Sequence, residues 1–354
     1  MGNVPPLRFP EFTGEWQCKA IEKVAPLQRG FDLPTQNLVE GIYPVIYSNG
    51  ILQHHDKYKC EAPGLITGRS GTIGKFTYID SGFYWPHNTS LWVTDFCGNC
   101  PKFIYYLYQT VHIEQFSTGS GVPTLNRNDV HRYKTSVPTA IVEQEKIAKF
   151  LSILDERIVT QNKIIDKLQS LIKGINCKIF ALIQGNEYRL GDIATITNGN
   201  SNVQDASVEY RVGLYPFFDR SEDVKYLPTF LFDKESIIYP GEGTEFMPRY
   251  YNGKFALHQR CYAICDFNEA VNPQFLYFFL KTQNSYFIRN AVGSTVPSLR
   301  LDTFQKLKVV IPSKETQYSV YSFLSTLEQK LDVENSIMKM LLCQKRYLLR
   351  QMFI

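Results

Sequence analysis

The chain lacks most of the features that assign a sequence to a class at first sight. No apolar run approaches the ~18 residues of a membrane span; Phe275 to Leu280 is among the longest. Met1 to Trp16 has neither a basic nor an apolar segment, so no signal peptide is expected, and the chain reads as cytoplasmic with no membrane partner. An excess of charge is also missing. Lys and Arg number 38 against 34 Asp and Glu, a net +4. That balance neither demands a nucleic-acid partner nor excludes one, because local patches make a phosphate-binding face.

Eight cysteines scattered over 354 residues make no disulfide framework. Cys97 with Cys100 and Cys261 with Cys265 have a spacing from which a four-thiolate zinc site can be assembled. However, Arg260 to Ile264 alternates like a strand and points neighbours to opposite faces. Reduced, mostly buried thiols and no metal are expected. Motifs of catalysis are absent too. The chain has no GKS or GKT phosphate loop, and no Asn/Asp-Pro-Pro-Tyr/Phe tetrapeptide to hold an extruded adenine. Gly241-Glu242-Gly243 is too short a glycine signal and leads into no helical pattern. Asp223-Val224-Lys225 and Glu328-Gln329-Lys330 have a nuclease-like spacing but no partner carboxylate.

What is present is aromatic bulk and repetition. Tyr and Phe number 22 and 24, which suits large sheet-type cores. Gly121-Val122-Pro123-Thr124-Leu125 returns as Thr295-Val296-Pro297-Ser298-Leu299, 174 residues later. Pro101-Lys102-Phe103-Ile104-Tyr105 returns as Pro273-Gln274-Phe275-Leu276-Tyr277 at an offset of 172, as do Gly71-Thr72 in Gly243-Thr244 and Trp16 in Tyr188. Phe150 to Asp155 returns as Phe323 to Glu328 at 173. Two copies make a duplicated domain and not a solenoid.

Each copy opens with a head rich in Gly, Pro, Asn and aromatics. Strands are expected at Tyr43 to Tyr47, Lys75 to Ile79, Ser90 to Val93 and Ser236 to Tyr239. Helices are expected at Pro101 to Thr110 and Pro273 to Thr282, with proline in the first turn. A long helix with a heptad seam follows each head. In the first copy the seam includes Leu151, Leu154, Ile158, Gln161, Ile165 and Leu168. In the second it includes Leu324, Leu327, Leu331, Glu334, Met338 and Leu341. The polar interruption recurs in the same place, at Gln161 and Glu334. The expected fold is α/β of the α+β kind: heads at 1–142 and 185–315, and long helices at 143–184 and 316–354. Helices related by a two-fold axis crossing them would form an antiparallel coiled coil.

Two similar heads on a stiff rod suit a duplex ligand, in which half-sites recur about one helical turn apart, ~34 Å. Gly121 to Leu125, Glu143 to Ile158, the opening Leu7 to Phe12 and the ending Gln351 to Ile354 together resemble the specificity subunit of type I restriction–modification enzymes. The resemblance covers essentially the whole chain. The second copy keeps Gln317 of the Q-x-x-I-A-x-F-L pattern but lacks its Ile-Ala. The resemblance implies a non-catalytic chain whose two target-recognition domains read a bipartite site in double-stranded DNA. Two methyltransferase subunits and restriction/motor subunits would be its partners, and S-adenosylmethionine, ATP and Mg would belong to them. The alternative is a two-headed scaffold that binds proteins without DNA specificity.

Candidate DNA contacts lie in glycine-punctuated loops. In the first head these are Arg69, Ser70, Thr72 and Lys75, where Arg can fork onto guanine. Thr118, Ser120 and Thr124 flank the Gly-Val-Pro turn. Their counterparts Ser294, Thr295 and Ser298, followed by Arg300, suggest phosphate positioning. In the second head the candidates are Arg220, Thr244, Arg249, Tyr250, Gln259 and Arg260. His258 matches His87 at an offset of 171, which suits a structural histidine at least as well as a DNA contact. Lys163, Lys167, Lys173 and Lys178 are candidates for the DNA spacer backbone, with a solvated face or a partner contact as the stronger alternative.

Overall fold

A computed structural model describes residues 4–119 and 121–354. The chain divides into two compact units, Met1–Asn162 with Ser336–Ile354, and Lys163–Asn335. These are not the two sequence copies, because each long helix is shared out between the units.

The head of the first unit holds two four-stranded sheets. One orders its strands Leu27–Arg29, Ser90–Val93, Gly64–Gly68, Phe76–Ile79; the other Gly50–His55, Tyr43–Tyr47, Phe83–Pro86, Cys60–Glu61. A short antiparallel pair, Trp16–Ala20 with Lys134–Pro138, closes the head. The helix Pro101–Thr110 starts on its proline and buries Phe103, Ile104, Tyr106, Leu107 and Tyr108. Its apolar face is the centre of the core, and the buried Tyr108 hydroxyl donates to the Ala25 carbonyl at 2.5 Å.

The second head uses the same plan with one sheet of six strands. Their order is Thr195–Asn198, Cys261–Cys265, Phe232–Pro240, Arg249–Leu257, Tyr215–Phe218, Lys225–Leu227. Asn186–Arg189 with Lys308–Ile311 forms the closing pair, and Pro273–Lys281 the core helix. The difference turns on one glycine position. Gly82 has φ +84° and sits in the turn between Phe76–Ile79 and Phe83–Pro86, which belong to separate sheets. Gly253, its counterpart, has φ +131° inside the unbroken strand Arg249–Leu257, which joins the two halves of the six-stranded sheet. A side chain is disfavoured at either φ.

The long helices span Ile141–Leu182 and Lys314–Met352, beginning and ending two residues before their expected bounds. Each begins within three residues of the strand-ending segment at Pro138 or Ile311–Pro312. In the first unit Ile147, Leu151 and Leu154 are buried together with Leu341, Leu348 and Met352. The helices run antiparallel there: Ile147 shares a core with Phe353, Asp155 pairs with Lys345 at 2.7 Å, and Gln161 lines a groove with Ile337 and Leu341. Ile158 and Met338 are half-buried. In the second unit Ile165 and Leu324 are buried, while Leu168, Leu327, Leu331 and Glu334 are half-buried.

The helix ends are exchanged between copies. Phe353, from the end of the second copy, stacks on Phe103 of the first at 5.3 Å. Phe180, from the end of the first, packs on Phe275 of the second at 5.2 Å. Phe353 and Phe180 are themselves counterparts, 173 residues apart.

Candidate nucleic-acid interface

Two segments singled out by their repetition meet at the same turn in both heads. The Gly71 N–H donates to the Pro123 carbonyl at 3.0 Å, and the Leu125 N–H to the Arg69 carbonyl at 2.7 Å. In the second head the Gly243 N–H donates to Pro297 at 3.0 Å, and the Leu299 N–H to Gly241 at 2.8 Å. Ser70 thus bridges Thr124, and Glu242 bridges Ser298. Backbone groups alone make this clamp.

A histidine turn lies nearby in each head. The His87 N–H donates to the Ile46 carbonyl and the His258 N–H to Phe218, both at 2.9 Å. Each ring Nδ1 accepts the backbone N–H two residues on, from Thr89 at 3.3 Å and Arg260 at 3.2 Å. Burial lowers the pKa of both rings, so they stand neutral at pH 7. These histidines hold turns.

In the first unit a cleft of about 640 Å³ is lined by Arg29, Arg69, Thr118, Thr124 and Arg127, among others. The structure therefore gathers Arg69, Thr118 and Thr124, with Ser70 bonded beside them. Thr72 and Lys75 are exposed outside the cleft lining, and Lys75 Nζ reaches the Asn49 carbonyl at 3.4 Å. Ser120 lies outside the described residues. Arg29 and Arg127 were not singled out by the sequence. Asn126 before Arg127 caps the helix Arg127–Arg132, a signal that marks the element but not the cleft it borders.

In the second unit a cleft of about 530 Å³ brings together Arg220, Gln259 and Arg260 with Asp219, Lys225 and Glu242. Burial opposes ionisation of Asp219. Hydrogen bonds from Lys225 and Ser221 outweigh it and hold the carboxyl below its ordinary value. Arg260 Nη1 donates to both Glu242 oxygens, at 2.8 and 3.1 Å. Thr244, Ser294, Thr295 and Arg300 are exposed but outside the cleft lining, and Ser298 is half-buried in its bridge.

Two candidates sit apart from the cleft lining. Tyr250 pairs with Ile237 in the sheet, its hydroxyl donates to Glu235, and its ring lies 5.9 Å from Tyr277 of the core helix. It packs against the core of the head and does not line the cleft. Arg249 is half-buried and donates to the Ser221 carbonyl, so it props the loop under the cleft. The cysteine pairs have no metal geometry; among the described residues no group of His, Cys, Asp or Glu is arranged to hold an ion. Cys261 and Cys265 are buried, and burial pushes both thiols up to about 11. Lys163, Lys167, Lys173 and Lys178 are exposed on their helix. No described helix is long and apolar enough to cross a membrane.

One backbone frame used twice, with different side chains around each cleft and a heptad helix after each head, defines a duplicated recognition module. The chain belongs to the family of type I restriction modification DNA specificity domains, whose pattern it matches twice, over residues 13–170 and 185–341. It is 30% identical over 138 residues to the type I restriction enzyme EcoDI specificity subunit of Escherichia coli. That match takes in 39% of this chain and only 30% of the relative's length. The fold is similar to that of a type I restriction–modification S subunit from M. genitalium, with a TM-score of 0.68, 20% identity and 99% of both chains covered. A chain from a structure describing complex assembly of the type I system is similar at a TM-score of 0.59 and 13% identity, over 97% of this chain and 98% of that one.

Proposed function

We propose that this chain is the DNA-specificity subunit of a type I restriction–modification complex. Each head reads one half of a bipartite site in double-stranded DNA, and the paired helices set the spacer and dock two methyltransferase subunits. The observation that carries this reading is the turn clamp shared by both heads, beside clefts whose side chains differ. A common frame with divergent walls suits two related ligands of unequal sequence.

Arg69, Gln259 and Arg260 reach base edges, where Arg matches guanine and Gln adenine. Thr72, Lys75, Thr118, Thr124, Arg220, Thr244, Ser294, Thr295, Ser298 and Arg300 position the phosphate backbone. The chain carries no cofactor and no chemistry. Methyl transfer from S-adenosylmethionine to adenine belongs to the methyltransferase partners, and ATP- and Mg-dependent cleavage to the restriction/motor subunits, all in the cytoplasm. Exposed apolar side chains on the helices, such as Leu171 and Met340, give the partners a surface to cover.

Co-expression with the methyltransferase partner followed by methylome sequencing tests the proposal. A bipartite adenine-methylation motif that depends on this chain supports it, and its absence sinks it. Affinity of the assembled complex for its site should fall steeply with salt, whereas a protein-only scaffold forms complexes indifferent to salt and to DNA.

A further inference from the structure

The charged positions around the cleft of the second head have counterparts in the first head, and backbone bonds match them position by position. Tyr47 and Ser48 follow the residue that accepts the His87 N–H, as Asp219 and Arg220 follow the one that accepts the His258 N–H. Gln53 faces Val45 across its strand pair as Lys225 faces Phe217. Ser70 and Glu242 form the equivalent bridges, and Thr89 and Arg260 donate the equivalent N–H to histidine. At all five positions the first head is neutral and the second is charged.

Within the charged cleft the groups are not equivalent. Asp219 is covered and engaged by Lys225 and Ser221, which ties that pair into the wall. Glu242 is 21% exposed while its partner Arg260 is 63% exposed. The carboxylate takes both of its bonds from Nη1, which anchors that end of the guanidinium and leaves Nε and Nη2 as a side-on fork of two donors. Guanine is the base whose major-groove edge offers two acceptors, N7 and O6, and a bidentate fork matches them. Ser70 and Thr89 put no such fork in the first head.

Resting on the DNA-specificity reading above, we propose that Arg260 reads a guanine in the half-site of the second head and that Glu242 is its positioning residue. The first head does not read guanine from the equivalent positions.

The test uses the full chain with its methyltransferase partner and reads base preference from the methylome. Arg260→Ala should relax one guanine position in one half-site, with discrimination there falling about 5- to 150-fold, and leave the other half-site unchanged. Arg260→Lys keeps the charge without the fork and should relax the same position. Glu242→Gln should weaken preference at that position and no other, and Glu242→Asp should restore part of it. A purely structural ion pair would instead lower stability without moving base preference. A wild-type bipartite motif that both Arg260 variants leave unaltered overturns this assignment alone, as does relaxation at a base other than guanine. A wild-type complex with no bipartite motif overturns both this assignment and the reading beneath it.

Discussion

Gln317 Oε1 accepts the backbone N–H of Asn272 at 2.7 Å, at the residue that caps the core helix of the second head. Its Nε2 donates to the Pro312 carbonyl at 2.9 Å. Gln144 does the same in the first head, accepting from Cys100 at 2.8 Å and donating to Pro138 at 2.9 Å. Both amides are buried. The glutamine of the recurrent helix pattern thus locks the start of the long helix to the start of the core helix. Replacing Gln317 by Ala should destabilise the protein by about 2–4 kcal/mol, because a buried N–H and a carbonyl lose their partners. Denaturant melting of the variant checks this.

Exchange of the helix ends gives a second prediction. Phe353 is buried against Phe103 in the first unit. Phe353→Ala should cost about 3–5 kcal/mol, the range for a buried Phe truncated to Ala. Amide hydrogen exchange should show the loss in residues 101–110 and not in the core of the second unit around Phe275. Equal loss in both units would contradict the assignment of Phe353 to the first core.

The proposed spacer function predicts a geometric response. The helices pair antiparallel in the first unit, so a heptad added to one alone would leave its new seam residues without partners. Seven residues inserted after Asn162 together with seven after Asn335 should preserve both seams. The added rise is ~10 Å, about three base pairs at ~3.4 Å each. Methylome sequencing should show unchanged half-sequences around a longer spacer. Altered half-sequences with the old spacer would refute the ruler.

Acidification should weaken the heads. Burial holds His87 and His258 below their ordinary pKa of 6.5, so each binds a proton more readily when unfolded. Their contribution is intact above about 6.5 and is lost as pH falls below it, because the unfolded chain then takes up more protons. Urea midpoints should be lower at pH 5.5 than at 7.5, and His258→Gln should shrink the difference.

Periodicity made the long helices legible. The heptad residues from Ile147 to Ile179 are buried or half-buried, and only Leu182 at the end of the series is exposed. Proline at the first turn likewise marked Pro101–Thr110. Strand register was not legible, because a one-residue slip exchanges the faces and composition does not set it. Tyr250 therefore read as a loop contact although its ring faces the core helix. The Trp16–Tyr188 match also fails in register: Trp16 pairs with Pro138, whereas Tyr188 pairs with Val309, three residues before Pro312. Asp219 gave no signal, and Lys225 and Glu242 stood out only in unrelated patterns, because separate segments carry all three to one cleft. The exchange of helix ends was equally hidden, since Phe180 and Phe353 are spaced alike whichever head each one meets.

The backbone-only turn clamp has a consequence for how such a chain can change over generations. Its hydrogen bonds use N–H and carbonyl groups at Gly71, Pro123, Arg69 and Leu125, and at their counterparts. The side chains at Ser70 and Thr124, or at Glu242 and Ser298, take no part in them. A point substitution there alters what the turn offers to a ligand while the turn itself stays folded. After duplication, each half of the chain was left with places where its sequence could drift toward a new target at little structural cost.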